Sequence, residues 1–146
     1  MEKHYSVGIH RKGELKIQDL LDEIRRNPDL GRAGAIALFI GIVREEGHDG
    51  GRVNKIRIES YEEVAVNSLR RIAEDLLQEP EIVDVRIHHF VGDMSVGDDI
   101  VYIAVAGSHR QAVFKALREA VDRMKKEAAI WKKEITDLGE QWISGG

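Results

Sequence analysis

Residues 34–43 form an almost wholly apolar run that ends abruptly at Arg44. The run is far shorter than the roughly 20 residues that a membrane-spanning helix needs. Its brevity and its branched side chains favour a β-strand over a helix. Successive side chains of a strand point to opposite faces, so a continuous apolar run indicates a strand with both faces covered. We therefore expect this strand to be buried on both faces within a layered domain.

The rest of the chain alternates between strand-like and helix-like patterns. Alternating apolar residues predict short strands, and apolar residues at spacings of three and four predict amphipathic helices. The predicted strands cover residues 4–10, 34–43, 53–61, 82–90 and 100–106, and the predicted helices cover residues 17–26, 62–78 and about 109–133. This order, with strands returning as hairpins, indicates an α+β fold with a mostly antiparallel sheet and a long C-terminal amphipathic helix.

The chain shows no sign of a boundary between domains. Its only prolines are Pro28 and Pro80, and each closes a predicted helix. We find no internal repeat and no Ser/Gly-rich linker that divides the sequence. Residues 1–146 are therefore interpreted as a single domain, in which residues 143–146, ending in two glycines, are expected to be a flexible tail.

The composition excludes several kinds of chemistry. The chain has no cysteine, which rules out disulfides, iron–sulfur clusters, zinc–cysteine sites and thiol nucleophiles. With 22 basic and 26 acidic residues its formal charge is −4, so no general attraction to nucleic acid or to an anionic membrane is expected. The N-terminus shows no signal-peptide pattern, and a soluble cytoplasmic protein is the expectation.

The start of the last predicted helix is a candidate anion site. Ser108 is a suitable N-cap, and Gln111 three residues later completes a capping-box pattern. His109 and Arg110 would then lie in the first turn, where free backbone N–H groups and the helix dipole favour a phosphate or carboxylate. The alternative is that both side chains are ordinary solvated residues.

Two lysines on the same predicted helix form a second candidate. Lys125 and Lys132 are seven residues apart, which on a helix places them on nearly the same side, at the edge of its apolar stripe. Lysines at such a border usually extend the amine into water. Partial burial would instead lower the pKa of an amine and prepare it for proton transfer or nucleophilic attack.

Arg44 and the glycine-rich segment after it form a third candidate. Arg44 directly follows the apolar strand, so a rigid scaffold would aim its side chain, and residues 47–51 are expected to be a mobile surface loop. An ordinary charge at a strand end is an equally good interpretation.

The other histidines are poor metal ligands, because His88 and His89 point to opposite strand faces and His48 lacks a spaced partner. No metal site is expected.

Three segments resemble the signature motifs of a known family. Residues 39–44, 107–110 and 125–134 are similar, in this order, to motifs of the MoaE family, the catalytic (large) subunit of molybdopterin synthase. The resemblance extends over roughly residues 34–142. The ordered set of three motifs is far more specific than any one of them alone.

This resemblance implies an α/β-hammerhead fold and a sulfur-transfer reaction. The family converts cyclic pyranopterin monophosphate (precursor Z) to molybdopterin and so builds a dithiolene. The sulfur comes from the C-terminal thiocarboxylate of MoaD, a small ubiquitin-like carrier whose Gly-Gly tail enters the large subunit. The resemblance further implies a homodimer of large subunits within a heterotetramer, and no cofactor.

Carried over by position, the resemblance also implies the site residues. Lys125 and Lys132 would be catalytic, with Lys125 moving protons or holding a covalent intermediate and Lys132 stabilising negative charge. The substrate-binding residues would be Ile42, Val43, Arg44, His109, Arg110, Lys125, Lys132, Lys133 and Glu134. Arginine and histidine side chains suit the cyclic phosphate. The alternative class is a non-enzymatic α+β dimer that binds a small phosphorylated ligand.

Overall fold

The structure is a computed structural model that describes residues 4–143. The helices in this range are α1 (Ile17–Arg25), α2 (Glu62–Leu76) and α3 (Arg110–Glu127), with a short 3-10 helix at Leu30–Arg32. The strands are β1 (His4–Arg11), β2 (Ala35–Ile42), β3 (Val53–Ser60), β4 (Ile82–Met94), β5 (Asp99–Gly107), β6 (Ile130–Thr136) and β7 (Gly139–Ile143).

These strands form one sheet that has two sections. In the first section β2, β5, β4 and β1 are neighbours, and in the second the end of β4 is followed by β3, β6 and β7. β1 runs parallel to β4, whereas the other strand pairs are antiparallel. Gly92 lies where β4 passes between the sections, and its φ of +108° is a conformation that favours glycine. The predicted α+β class and mostly antiparallel sheet are confirmed.

Helices cover both faces of the first section. α2 and α3 pack against one face, where Leu69 and Val113 share a buried cluster with Ile103 of β5. On the other face Ile24 of α1 shares a second cluster with Ala104 of β5. Because successive residues of β5 serve different clusters, this strand is buried on both sides.

The predicted burial of β2 on both faces is confirmed for most of the strand but not for its end. The apolar run does form a strand, but β2 lies at the edge of the sheet, and β5 is its only strand partner among the described residues. Near its end, Ile40 and Ile42 are 39% and 53% exposed. An apolar run shows that a strand favours burial, but it does not show whether the cover comes from its own chain or from another molecule.

The last predicted helix ends six residues early, and two further strands follow it. α3 ends at Glu127, and Ala128 is extended, with φ −77° and ψ 139°. β6 then pairs with β3, which places Lys132 opposite Ile58. Residues 128–133 have helical spacing of apolar residues, but Ile130 and the tryptophan after it are good strand formers. The backbone hydrogen bonds that β3 offers therefore override the helical pattern.

No helix in residues 4–143 is both long enough and apolar enough to cross a membrane. Of the predicted flexible tail, Ile143 instead ends β7 and pairs with Lys132 of β6. Residues 144–146, including both terminal glycines, lie outside the described residues.

Candidate active site

A pocket of about 460 Å³ lies between the end of β2, the start of β5, the end of α3 and the middle of β6. Its lining consists of Phe39, Ile40, Gly41, Ile42, Arg44, His48, Ile100, Val101, Met124, Lys125 and Lys132. The lining thus combines an apolar wall with basic side chains and contains no acidic one. Basic side chains gathered in a partly enclosed space attract anions, because their potentials add.

Lys125 and Lys132 reach this pocket from different elements. Lys125 lies in the last turn of α3, whereas Lys132 lies on β6. The predicted arrangement along a single helix is therefore wrong, although both side chains line one pocket. They meet because the chain turns after α3 and returns as a strand beside β3.

Lys132 is the more buried of these two lysines. Burial lowers the pKa of Lys132 below its usual value, and the positive charge of Lys125 lowers it further. Both causes disfavour the ammonium form of Lys132. Its amine therefore releases a proton more readily than a solvated lysine does, which suits it to proton transfer or nucleophilic attack.

Alternation at the end of β2 separates three predicted site residues. Ile42 and Arg44 line the pocket, whereas Val43 belongs to the hydrophobic core and is 2% exposed. The Val43 N–H donates to the backbone oxygen of Asp98 at 3.1 Å. The structure therefore does not place Val43 in the lining, and this residue instead anchors the segment that carries Arg44.

The glycine-rich segment 47–51 is tied to β6. Glu134 accepts hydrogen bonds from both the backbone N–H and the ring Nδ1 of His48, each at 2.8 Å. Two residues further along β6, the hydroxyl of Thr136 donates to Asp49 at 2.7 Å. These contacts hold the segment beside the pocket and bring His48 into its lining, while His48, Asp49 and Gly50 remain exposed, as expected of a surface loop.

Glu134 lies behind His48 and outside the pocket lining. Its side chain is only 4% exposed. Burial by itself raises the pKa of this carboxyl, but the hydrogen bonds from His48 and Gln141 outweigh burial and lower its pKa below the ordinary value. Glu134 is thus a buried, ionised carboxylate whose partners are His48 and Gln141, and the structure does not present it to a substrate.

Comparisons with known proteins identify the family. The family model described as "MoaE protein" matches residues 10–127, which is well over half of the chain. The chain belongs to the MoaE family. The family prediction made from three motifs is thereby confirmed.

Curated relatives and a solved structure extend the match of this MoaE chain. The molybdopterin synthase catalytic subunit of Pyrococcus abyssi is 39% identical over 112 residues, which are 77% of this chain and 75% of that protein. The Bacillus subtilis protein of the same name is 38% identical over 122 residues, 84% of this chain and 77% of its own. The crystal structure of molybdopterin synthase from Staphylococcus aureus superposes with a TM-score of 0.80 at 27% identity, covering 99% of this chain and 98% of that one.

In this MoaE chain Lys133 points away from the pocket. It alternates with Lys132 along β6 and lies opposite Trp142 of β7. Its Nζ is 2.9 Å from a carboxylate oxygen of Glu140 and 5.6 Å from the centroid of the Trp142 ring. Lys133 therefore stabilises the pairing of β6 with β7 through these contacts. The structure does not bring it to the predicted substrate site.

His109 and Arg110 lie far from Lys125. Arg110 begins α3 and Lys125 is in its last turn, a separation of about 22 Å along the helix axis. The ring of His109 is 2.7 Å from Glu81, and the hydroxyl of Ser108 donates to the same carboxylate at 2.9 Å. His109 itself is the N-cap residue, so the predicted capping box is wrong because Glu81 takes the serine hydroxyl. Neither His109 nor Arg110 lines the pocket.

The two adjacent histidines of β4 face opposite sides of the sheet, as their spacing predicts. His88 is hydrogen-bonded to His10 and Ser6, each at 2.8 Å, whereas His89 contacts the backbone oxygen of Phe90 at 2.7 Å. Burial lowers the pKa of each to about 4. Within residues 4–143 no group of three or more His, Asp or Glu side chains is arranged to hold a metal ion.

His48 is the one polar residue of the pocket lining that was not predicted from the sequence. Its partner Glu134 is 86 residues away in the chain, so no local spacing connects the two. The only signal was a histidine in the segment directly after Arg44, and that signal is weak without a known partner.

Proposed function

We propose that this chain is the catalytic subunit of a molybdopterin synthase. It transfers sulfur from the C-terminal thiocarboxylate of a small MoaD-like carrier to cyclic pyranopterin monophosphate and so forms the dithiolene of molybdopterin. The observation that carries this proposal is the pocket in which Arg44, Lys125 and Lys132 meet without an acidic side chain in the lining. The names of the curated relatives support an enzyme over a non-enzymatic dimer that binds a phosphorylated ligand.

Arg44 is suited to bind the cyclic phosphate of the substrate. Its guanidinium is a planar fork that matches phosphate oxygens in two parallel hydrogen bonds. Val43, the residue that precedes Arg44, is buried and holds the backbone in place, so the position of the guanidinium is restricted. Beside it, Ile42 and Val101 supply an apolar wall for the flat pterin ring.

Lys132 and Lys125 are suited to different parts of the sulfur-transfer step. The carrier's thiocarboxylate sulfur attacks a carbon of the substrate side chain, a step that needs proton transfer and stabilisation of negative charge. Lys132 is suited to transfer the proton, because burial and the charge of Lys125 lower its pKa. Lys125, which is more exposed, supplies positive charge to the pocket. These roles reverse the assignment made from the sequence.

The free edge of β2 is a suitable entry for the carrier tail. An edge strand offers unpaired backbone N–H and C=O groups to which an extended peptide adds as a further strand. The exposed side chains of Ile40 and Ile42 lie on this edge and also line the pocket. A tail that ends in two glycines is suited to this edge, because it carries no side chains near the reacting carbonyl.

A second copy of the chain completes the proposed site. His109 and Arg110 cannot reach the pocket of their own chain, since the length of α3 separates them from it. They serve the substrate if they are presented to the pocket of a partner protomer. We therefore include in the proposal a homodimer of this chain that carries one small subunit per protomer, as a heterotetramer.

The reaction is tested directly with purified components. The chain is mixed with a thiocarboxylated ubiquitin-like carrier and precursor Z, and the carrier is followed by intact mass spectrometry. The proposal expects the terminal sulfur of the carrier to be replaced by oxygen while a dithiolene forms on the pterin. A carrier that keeps its thiocarboxylate, together with measurable binding of the phosphorylated pterin, would instead support the non-enzymatic alternative.

A further inference from the structure

We infer that His48 and Glu134 act together to activate the water molecule that releases the carrier. The inference rests on the proposed function and concerns a later step of the same reaction. When the thiocarboxylate sulfur bonds to the substrate, it still carries the acyl group of the carrier, so the product of that attack is a thioester. Leaving the sulfur on the pterin requires water to break the acyl carbon–sulfur bond, and such a step benefits from a general base.

The contact with Glu134 determines which nitrogen of His48 carries a proton. Nδ1 lies 2.8 Å from one carboxylate oxygen, and the other oxygen accepts the His48 backbone N–H at 2.8 Å. An ionised carboxylate can only accept hydrogen bonds, so Nδ1 donates, and in the neutral ring Nε2 then keeps its lone pair. Within residues 4–143 no protein atom is hydrogen-bonded to Nε2.

Burial divides this pair into a hidden carboxylate and an accessible ring. The side chain of Glu134 is 4% exposed and that of His48 is 45% exposed. The ring belongs to the pocket lining together with Lys125 and Lys132, whereas Glu134 does not. A water molecule in the pocket therefore has access to the ring, and the carboxylate behind the ring is shielded from solvent.

The carboxylate of Glu134 lies behind the ring, on the side away from the basic side chains of the pocket. Arg44, Lys125 and Lys132 line that pocket together with His48. The buried carboxylate, 2.8 Å from Nδ1, is placed to stabilise the positive charge that forms on the ring when Nε2 takes a proton from water. Glu134 is thus a positioning residue that acts through His48, and it never touches the substrate.

The step balances with water as its only co-reactant. Nε2 of His48 accepts a proton from water as the oxygen bonds to the acyl carbon. The carbon–sulfur bond then breaks, and its electron pair leaves with the sulfur as a pterin thiolate. His48 returns its proton to that sulfur, and the carrier's new carboxylic acid loses its proton to solvent.

The contact between His48 and Glu134 also holds segment 47–51 against β6. If holding the segment were its only role, any change that loosens the segment would slow the reaction in the same way. The bond between Asp49 and Thr136 ties that segment as well, but it does not involve the pocket lining. Thr136→Val is therefore a control that removes this bond, together with the contacts of the hydroxyl with Leu138 and Gly139, while it leaves His48 and Glu134 in place. His48→Gln removes the base and keeps an amide N–H for the carboxylate.

The experiment is a single turnover of the complex, followed by intact mass spectrometry of the carrier. We expect His48→Gln to consume the thiocarboxylate at a rate near that of the unmodified chain, whereas the carrier–pterin thioester accumulates and decays about 10²-fold or more slowly. Added imidazole should restore part of the decay rate in His48→Ala, because the ring site is open to solvent. Glu134→Gln should slow the same decay while the KM for the pterin stays unchanged.

Other results would overturn the inference. Thioester decay at the unmodified rate in His48→Gln would show that His48 is not the base. Equal slowing in Thr136→Val without rescue by imidazole would show that the contact only holds the segment. Failure of the unmodified chain to consume any thiocarboxylate would instead overturn the proposed function, and with it this step.

Discussion

Lys125 and Lys132 line one pocket although the first ends a helix and the second lies in the middle of a strand. The positive charge of Lys125 adds to burial in lowering the pKa of Lys132. The charge of Lys125 disfavours the ammonium form of Lys132, so keeping Lys132 charged in this pocket costs folding free energy. Such an arrangement is typical of sites where an amine takes part in chemistry.

Replacing either lysine should reduce turnover far more than replacing a neighbour outside the pocket. We expect Lys132→Ala to lower kcat by about 10²-fold or more, as the loss of a group that transfers protons does. Lys125→Ala should lower kcat by about 10-fold to 10²-fold through lost stabilisation of negative charge. Carrier release measured by mass spectrometry checks both.

Lys126→Ala is the matched control for this pair. Lys126 follows Lys125 in α3 but is exposed and absent from the pocket lining. Near-normal rates in both Lys125→Ala and Lys132→Ala would contradict the assigned roles, and equal losses in all three variants would indicate a general effect of charge.

Lys132→Met should make the protein more stable at neutral pH while it abolishes proton transfer. The pKa of Lys132 lies below its usual value of 10.5, so burial of the ammonium form costs stability at low and neutral pH. Between its folded-state pKa and 10.5 the unfolded chain binds more protons, and stability therefore rises with pH in that window. Urea unfolding at pH 7 and at pH 10 should show that the advantage of Lys132→Met shrinks with rising pH. An advantage independent of pH would contradict the electrostatic cause.

Acid should destabilise the fold through His89. This buried ring has a pKa of about 4, lowered first by burial and then by the charge of Lys132, whereas an unfolded chain has the usual 6.5. As pH falls from 6.5 towards 4 the unfolded chain binds the additional proton, and roughly 3 kcal/mol of stability is lost through this group. His89→Leu removes the titration, so its unfolding free energy should depend less steeply on pH in this window. Identical slopes for the two proteins would contradict the prediction.

Hybrid dimers should test whether His109 and Arg110 serve a partner's pocket. Arg110→Ala and Lys132→Ala are each expected to have little activity alone. If subunits of the two variants mix at random, half of the dimers are hybrids and each has one intact site, so about a quarter of the unmodified activity should return. Activity of the mixture equal to the average of the two variants would show that Arg110 acts within its own chain or not at all.

Some features of this protein follow from local patterns and were predictable. The three motifs identified the MoaE family, and alternation within a strand correctly placed His88 and His89 on opposite faces. The apolar run of residues 34–43 predicted a strand that ends before Arg44, and β2 confirms this prediction. These predictions needed only the period of a strand and the chemistry of side chains close together in sequence.

Other features depend on partners that are distant in sequence. The apolar pattern predicts a helix through about residue 133, but residues 130–136 form a strand because β3 satisfies their backbone hydrogen bonds. Ser108 fits a helix cap, but its hydroxyl binds Glu81, which is 27 residues away. In both cases the competing partner is invisible to any short window of sequence.

Local patterns in the chain were enough to predict the family, the α+β class and the set of basic residues available for chemistry. Which of those residues share a pocket depends on the tertiary structure. It brought Arg44, Lys125 and Lys132 together, turned Lys133 and Val43 away, and placed His48 against Glu134. A pocket forms where strand pairing and helix packing bring distant segments together. The free energy of those contacts depends on pairs of elements, so it is not a property of any single segment.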